Sequence, residues 1–267
     1  MNLVFCMAGL YKRFRDAGYA TPKFLLPFQG RTTLAHVVQE MVLSPGSRGV
    51  FQHVVCIANQ RDYASESAIQ SVLGAMDLAA HGVRTFLAWV PDTRGQAHTA
   101  SLGVDELEHR LGRSALTQPV LFHNIDTILI GRDYKRVRDT LLTSDGYIDC
   151  IDSEAPQYSY VVTAPHEPSV AIDVREKVVL SRHATTGLYG FRSAEAYRSW
   201  AQGVDYTKEF YISDVYRAML RAGKRVIINT SNEGHRTIIV GTPAEYEALA
   251  TIDEVAAARR GVEAPAR

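Results

Sequence analysis

The residues best equipped for chemistry stand near the amino terminus. Ala8-Gly9-Leu10-Tyr11-Lys12-Arg13-Phe14-Arg15 carries three basic side chains within four positions, and Pro22-Lys23 follows shortly after. The segment comes directly after an apolar run, Leu3–Met7, that reads as a first strand. In an open parallel sheet, ligands bind beyond the carboxyl ends of the strands. A polyphosphate placed there asks for backbone donors, neutralising cations and usually a metal. Gly9 permits close backbone approach, and Arg13 and Lys23 can converge on phosphate oxygens. The same residues also make a solvated basic turn between strand and helix, and one glycine with neighbouring arginines does not separate the two readings. Asp126 follows a second apolar run, Pro119–Asn124. On its own it is either a metal ligand or the cap of a turn.

The elements that must position these side chains alternate through the first half. Helical spacing puts Leu34, Val37, Val38, Met41 and Val42 on one face, with Thr32 or Thr33 as cap. Strands are expected at 53–58, 83–90 and 119–124, and helices at 63–78 and 97–110. Strands separated by 10–15-residue helical patterns indicate crossover units and a mainly parallel sheet. The second half changes character: short, closely spaced strand candidates at 147–151, 158–163, 170–174 and 186–191 predict antiparallel pairing. Helices at 194–202 and 212–222 follow, then strands at 225–229 and 236–240. A last helix opening at Pro243 is expected to continue through Glu245, Leu249 and Val255. The reading is one α/β domain over residues 1–258 with a frayed tail over 259–267.

Composition narrows the function classes. The chain has 267 residues, 46% of them hydrophobic, with Lys+Arg and Asp+Glu both at 29, so the formal net charge is zero. That balance argues against a basic field for nucleic acid. No apolar run approaches the ~18–20 residues of a membrane span, and no leader pattern opens the chain, which together predict a cytoplasmic protein. Cys6, Cys56 and Cys150 lack metal-like spacing and read as buried free thiols. No His-x-x-x-His pair, Gly-x-Ser-x-Gly elbow or Cys-x-x-Cys pair occurs, so zinc hydrolysis, acyl transfer and thiol redox chemistry have no foothold.

Met7-Ala8-Gly9-x-x-x-Arg13-Phe14-Arg15-Asp16-Ala17-Gly18-Tyr19-x-x-Pro22-Lys23-x-Leu25-x-Pro27-x-x-Gly30 resembles the signature of nucleotidyltransferases that act on sugar phosphates, nearest to the capsule- and polysaccharide-biosynthesis branch. Gly95-Gln96-Ala97, Asn124-Ile125-Asp126, Glu176-Lys177, the stretch from His183 to Phe191 and Gly241-Thr242-Pro243 extend the resemblance almost end to end. The resemblance implies a Rossmann-like three-layer α/β fold, with a mixed, mainly parallel central sheet and a small antiparallel acceptor-binding lobe. It implies that Ala8, Gly9, Arg13, Lys23, Gln96 and Asp126 bind a nucleoside triphosphate, with Gln96 reading the base. Arg13, Lys23 and Asp126 would be catalytic, and Asp126 would hold magnesium. Glu176, Lys177 and Gly187 would bind a phosphorylated acceptor, most simply a sugar 1-phosphate, and Tyr160 is a candidate to line that pocket. Assembly into a homo-oligomer is compatible with all of this.

The chain departs from the family pattern at two places. Tyr11 and Lys12 replace a glycine and a small residue of the phosphate loop, so that the loop takes another path or holds phosphate less tightly. Ile239 stands where relatives often carry a second magnesium ligand, for which Asp214, Asn232 and Glu233 are the substitutes in reach of the sequence argument. His98 and His123 flank the expected nucleotide site. Two rival readings follow: a catalytically silent nucleotide-binding relative, and a glycosyltransferase of similar topology that consumes nucleotide-sugars.

Overall fold

A computed structural model describes residues 1–205, 209–229 and 235–260; Asn232, Glu233 and the tail from Gly261 lie outside the described residues. Strand β1 (Asn2–Met7) leads into the short helix α1 (Lys12–Asp16), the ribbon β2 (Pro27–Phe28) and β3 (Arg31–Thr32), and helix α2 (Thr33–Val38). β4 (His53–Asn59), α3 (Glu66–Ala75), β5 (Arg84–Val90), α4 (Gln96–Leu111) and β6 (Val120–Asn124) complete the alternating half. Then come β7 (Thr127–Ile130), α5 (Tyr134–Thr143), β8 (Gly146–Asp152), β9 (Ser159–Ala164), β10 (Glu167–Glu176) and β11 (His183–Phe191). Helices α6 (Ala194–Gln202) and α7 (Ile212–Arg221), strands β12 (Val226–Ile228) and β13 (Arg236–Ile239), and helices α8 (Pro243–Leu249) and α9 (Ile252–Arg260) follow.

Among the described residues one sheet of nine strands runs in the order β5-β4-β1-β6-β11-β8-β12-β10-β9. β5, β4, β1 and β6 pair in parallel, and β11 and β10 run against their neighbours. The antiparallel part is the far half of this same sheet, with the β9–β10 hairpin at its edge. β1 shows why the sheet is covered on both faces. Leu3, Phe5 and Met7 pack into one core with α2 and α5, while Val4 and the following Ala8 pack into a second core with α4, α6 and α7. Successive strand side chains point to opposite faces, so a strand apolar at every position requires a layer on each side. On α7 the buried positions Ile212, Val215, Tyr216 and Met219 recur at helical spacing and turn one stripe to the sheet. Thr32, not Thr33, caps α2, accepting from the Ala35 amide at 3.2 Å.

Two connections aim the sheet at its cavity. β7 pairs antiparallel with β13 apart from the main sheet, and the Val240 amide donates to the Asp126 carbonyl at 2.9 Å, bringing Gly241-Thr242 beside Asp126. Beneath this ribbon Arg132 and Asp149 form a water-excluded ion pair at 3.0 Å. Arg132 also donates to the carbonyls of Ile130 and Arg236 and to the Thr237 hydroxyl, at 3.2, 2.8 and 2.7 Å. Asp149 accepts from the Thr186 hydroxyl of β11 at 2.9 Å. The pair thus ties the ribbon to the antiparallel half of the sheet.

Four local features depart from the sequence reading. α1 occupies the basic segment read as loop. α5, which the apolar pattern passed over, is set by Asp133, whose carboxylate accepts from the Lys135 and Arg136 amides. The last helix is broken at Ala250, which is extended at φ −81° and ψ 159°, and α9 resumes as far as Arg260, into the stretch expected to fray. The three cysteines are free, with Cys56 and Cys150 buried, and burial pushes the Cys56 thiol up to about 12. Among the described residues no helix is long and apolar enough to cross a membrane.

Candidate functional site

A cavity of about 280 Å³ opens at the carboxyl ends of β1 and β6 and runs towards β9, β10 and α7; its walls include Arg13, Gln96, Asp126, Glu176 and Gly187. Lys23 joins them through Asp126, its Nζ lying 2.5 Å from Oδ2. Burial pushes the Asp126 carboxyl up, but the Lys23 ammonium beside it outweighs this and holds it below the usual carboxylate value. Oδ1 has a long contact, 3.5 Å, from the Thr127 hydroxyl, and the residue lines the cavity. Arg13 is exposed and has no ion-pair partner among the described residues.

Gln96 is placed by a docking of two distant segments. Gly95 sits at φ 125°, and a Cβ there would meet the Phe210 carbonyl oxygen at 2.5 Å, so only glycine fits. The Ala97 amide donates to Phe210 O and the Phe210 amide to Arg94 O, at 3.1 and 2.6 Å. Glu209 and Tyr211 are thereby carried to the wall beside Gln96. The Gln96 Nε2 is buried and has no hydrogen-bond partner among the described residues, a donor already stripped of water.

The acceptor-side residues fall differently. Glu176 accepts from the Ser159 hydroxyl and, at 3.2 Å, from the Ser213 hydroxyl. Burial pushes its carboxyl above the usual range. Lys177 leaves strand geometry with φ 54°, so Glu176 and Lys177 do not point to opposite faces; their charged ends lie 3.8 Å apart. The Lys177 ammonium donates to the Tyr211 hydroxyl at 2.8 Å and sits 4.8 Å from that ring's centre. Tyr211 in turn donates to Glu209. Gly187 stands at φ 87° in a bulge of β11, where a Cβ would meet Asn124 Nδ2 at 2.7 Å.

Several expectations are corrected. Tyr160 does not line the cavity: it is fully buried and its hydroxyl donates to the Ala155 carbonyl at 2.7 Å. Strand alternation puts its neighbour Ser159 on the wall instead, together with Tyr158, which precedes the strand. Ala8 is buried in the core and Gly9 is exposed, so the loop's bare backbone flanks the cavity without forming its wall. Asp214 caps α7, its carboxylate accepting from the Tyr211 amide at 3.4 Å, and it is not among the residues of the cavity wall. His98 accepts from the Arg94 amide in a turn. His123 is wholly buried against the Thr127 carbonyl at 2.7 Å, and burial pushes its pKa down to about 4.

Sequence reasoning missed Glu245. Its Oε2 and Asp126 Oδ2 approach, within 3.6 and 3.2 Å, the point a Cβ on Gly241 would occupy. Thr242-x-x-Glu245 is a capping-box pattern, and the Thr242 hydroxyl does accept from the Glu245 amide at 3.2 Å. That structural role hid the carboxylate's position in the wall. Among the described residues no group of three or more His, Cys, Asp or Glu side chains gathers as a metal cluster. Two carboxylates flanking a side-chain-free position fit a hard divalent cation that takes its remaining oxygens from phosphate and water.

No family model matches the chain, and no curated protein matches it in sequence. Solved structures do match. The nucleoside-diphosphate-sugar pyrophosphorylase from Vibrio cholerae RC9 superposes with a TM-score of 0.75 at 24% identity, covering 95% of this chain and 99% of that one. A UDP-glucose pyrophosphorylase complexed with UDP-glucose gives 0.72 at 16% identity over 97% and 98% of the two chains. A putative glucose-1-phosphate thymidylyltransferase from Bacillus anthracis gives 0.71 at 16% identity over 97% and 94%. Over nearly its whole length the chain has the Rossmann-like fold that these structures share.

Proposed function

We propose that the protein transfers a nucleoside monophosphate from a nucleoside triphosphate to a phosphorylated small molecule, with a sugar 1-phosphate the simplest acceptor, and releases pyrophosphate. The observation that carries this reading is the convergence of Arg13, the Lys23–Asp126 pair and the unpartnered Gln96 amide on one cavity. An acceptor phosphate oxygen attacks the α-phosphorus as the bond to the bridging oxygen of pyrophosphate breaks. The reaction asks for alignment and charge neutralisation, not for a protein nucleophile. Arg13 and Lys23 neutralise the triphosphate and the departing pyrophosphate, Gln96 offers its amide to a base edge, and Glu176 takes hydroxyls of the acceptor. Asp126, with Glu245 beside it, would hold a magnesium ion, which when bound screens the charge of the triphosphate.

The test is pyrophosphate release. Each common nucleoside triphosphate with magnesium is first screened for a rise in melting temperature, since a ligand that binds only the folded state stabilises it. The stabilising nucleotide is then incubated with sugar 1-phosphates. Pyrophosphate formed in step with a nucleoside-diphosphate product supports the reading. Binding without release favours a silent nucleotide-binding protein, for which Ile239 in the wall is the supporting observation. Consumption of a nucleotide-sugar with no triphosphate requirement favours a glycosyltransferase.

A further inference from the structure

Tyr11 holds a backbone conformation that suits glycine. Its φ of 33° and ψ of 43° lie in the left-handed region, at the residue that precedes α1 and two before Arg13. A bulky non-glycine residue there is unusual and costs free energy unless its surroundings over-determine it. The surroundings do so. The phenol donates to Asp62, a carboxylate only 5% exposed on the segment after β4. Arg15 donates to the phenol oxygen at 3.1 Å, lies 4.6 Å from the ring centre and approaches Asp62 at 3.5 Å. The other Asp62 oxygen, Oδ2, is buried with no hydrogen-bond partner among the described residues, so the bonds this carboxylate makes there lie on one side. The near end of the loop is tied to the same segment, where Asn59 Nδ2 donates to the Ala8 carbonyl at 3.3 Å.

The cluster divides the basic residues of the loop. Arg15 turns back to Tyr11 and Asp62, while Arg13 faces the cavity. We propose that Tyr11 is a positioning residue: anchored to Asp62, it holds the left-handed corner of the loop so that Arg13 is presented to the triphosphate before the nucleotide arrives. The loop does not need a bare glycine at this position, because a side-chain anchor supplies the order that the strained corner requires. A contact oriented in advance binds more tightly than one ordered on binding. The inference rests on the proposed triphosphate site and adds a residue that does not touch the ligand.

The experiment uses the full chain and the nucleoside triphosphate that stabilises wild type in the presence of magnesium. Tyr11→Phe keeps the ring, its packing and the guanidinium–ring contact with Arg15, and removes only the hydroxyl with its bonds to Asp62 and Arg15. Its dissociation constant for the triphosphate should rise about tenfold, with the acceptor KM and the turnover at saturating nucleotide held within about twofold. Asp62→Ala should weaken the nucleotide similarly, and the double variant should be no weaker than either single one, as for two ends of one interaction. Asp62→Asn, which keeps an acceptor for the phenol, should recover most of the loss. Equal nucleotide affinity in wild type and Tyr11→Phe overturns the inference and leaves the triphosphate site standing. Losses that add in the double variant, or that fall equally on the acceptor, also overturn it by making the cluster generally structural. A wild-type chain that binds no triphosphate overturns both.

Discussion

The cavity has two ends, and their polar groups are prepared differently. At the end built on β1 and β6, neither the Arg13 guanidinium nor the Gln96 amide donor has a side-chain ion pair or hydrogen-bond partner among the described residues, and Asp126 Oδ1 has a long contact, 3.5 Å, from the Thr127 hydroxyl. At the end built on β9, β10 and α7, Glu176 is engaged by Ser159 and Ser213, Tyr211 by Glu209, and Lys177, exposed and not itself a wall residue, by Tyr211 of the wall. A ligand entering the first end meets a Gln96 donor whose desolvation was met on folding and an Arg13 that gives up no protein partner, so these contacts displace no existing protein bond. A ligand entering the second must exchange existing partners for new ones, so each contact contributes only a difference. Substitutions at the first end should therefore be severe and those at the second mild.

The sharpest test of that contrast is Asp126→Asn. It keeps the shape, removes the charge that faces Lys23, and weakens a preorganised electrostatic contact of the kind worth about 2–4 kcal/mol in the transition state. Pyrophosphate release should fall by at least about thirtyfold while the circular dichroism spectrum stays folded. Lys23→Ala should act in the same direction. Wild-type turnover in either variant would remove the basis for treating the ends differently.

The seam between the ends is the Arg132–Asp149 pair, and it bears on stability. Arg132→Ala leaves the Asp149 carboxylate buried and unpaired, which costs about 3–5 kcal/mol in comparable settings. The denaturation midpoint should drop accordingly. Replacing both partners by apolar residues should recover much of this loss, because no uncompensated charge then remains. If the double replacement is no better than the single, the network around Thr237 and Thr186 matters more than the pair itself.

Acid should lower the stability of the whole fold through a histidine buried beneath the first end. His123 is buried neutral, with its pKa pushed by desolvation from 6.5 to about 4. The unfolded chain therefore binds a proton that the folded chain refuses between those values, so stability falls as pH drops through that window and levels off below it. The limiting size is about 3 kcal/mol. Urea midpoints measured from pH 7 to 4 should show this limb, and His123→Gln should flatten it.

Much of the first end was legible in the sequence because its chemistry is local. Arg13 and Lys23 flank one loop, Gln96 opens a helix after a required glycine, and Asp126 follows a strand whose apolar run is unmistakable. The fold was legible for the same reason: alternation of β1, β4 and β6 with helices leaves few topologies. The second end is assembled from long-range contacts that no spacing reveals. Tyr160 and Ser159 differ by one strand position, and a register that is read one residue off exchanges wall for core. Glu245 was hidden by its own capping role, and the left-handed turn at Lys177 reversed a side chain that strand alternation would have sent away. Tyr11 was visible as a substitution, yet its anchor at Asp62 lies 51 positions along the chain.

The mildest expected effect tests the second end directly. In Tyr211→Phe the Lys177 ammonium loses its hydroxyl acceptor and keeps the aromatic face, and Glu209 is returned to solvent at a site already partly exposed. An acceptor phosphate then no longer displaces a hydrogen bond to reach Lys177. The acceptor KM should fall by about threefold with the nucleotide KM unmoved, a change of well under 1 kcal/mol. A small gain of this kind is what exchange of partners predicts, since the resting contact competes with the ligand. A tenfold rise would mean instead that the Tyr211 hydroxyl itself holds the acceptor. Both ends of the cavity would then contribute contacts of similar strength, and the contrast between them would fail.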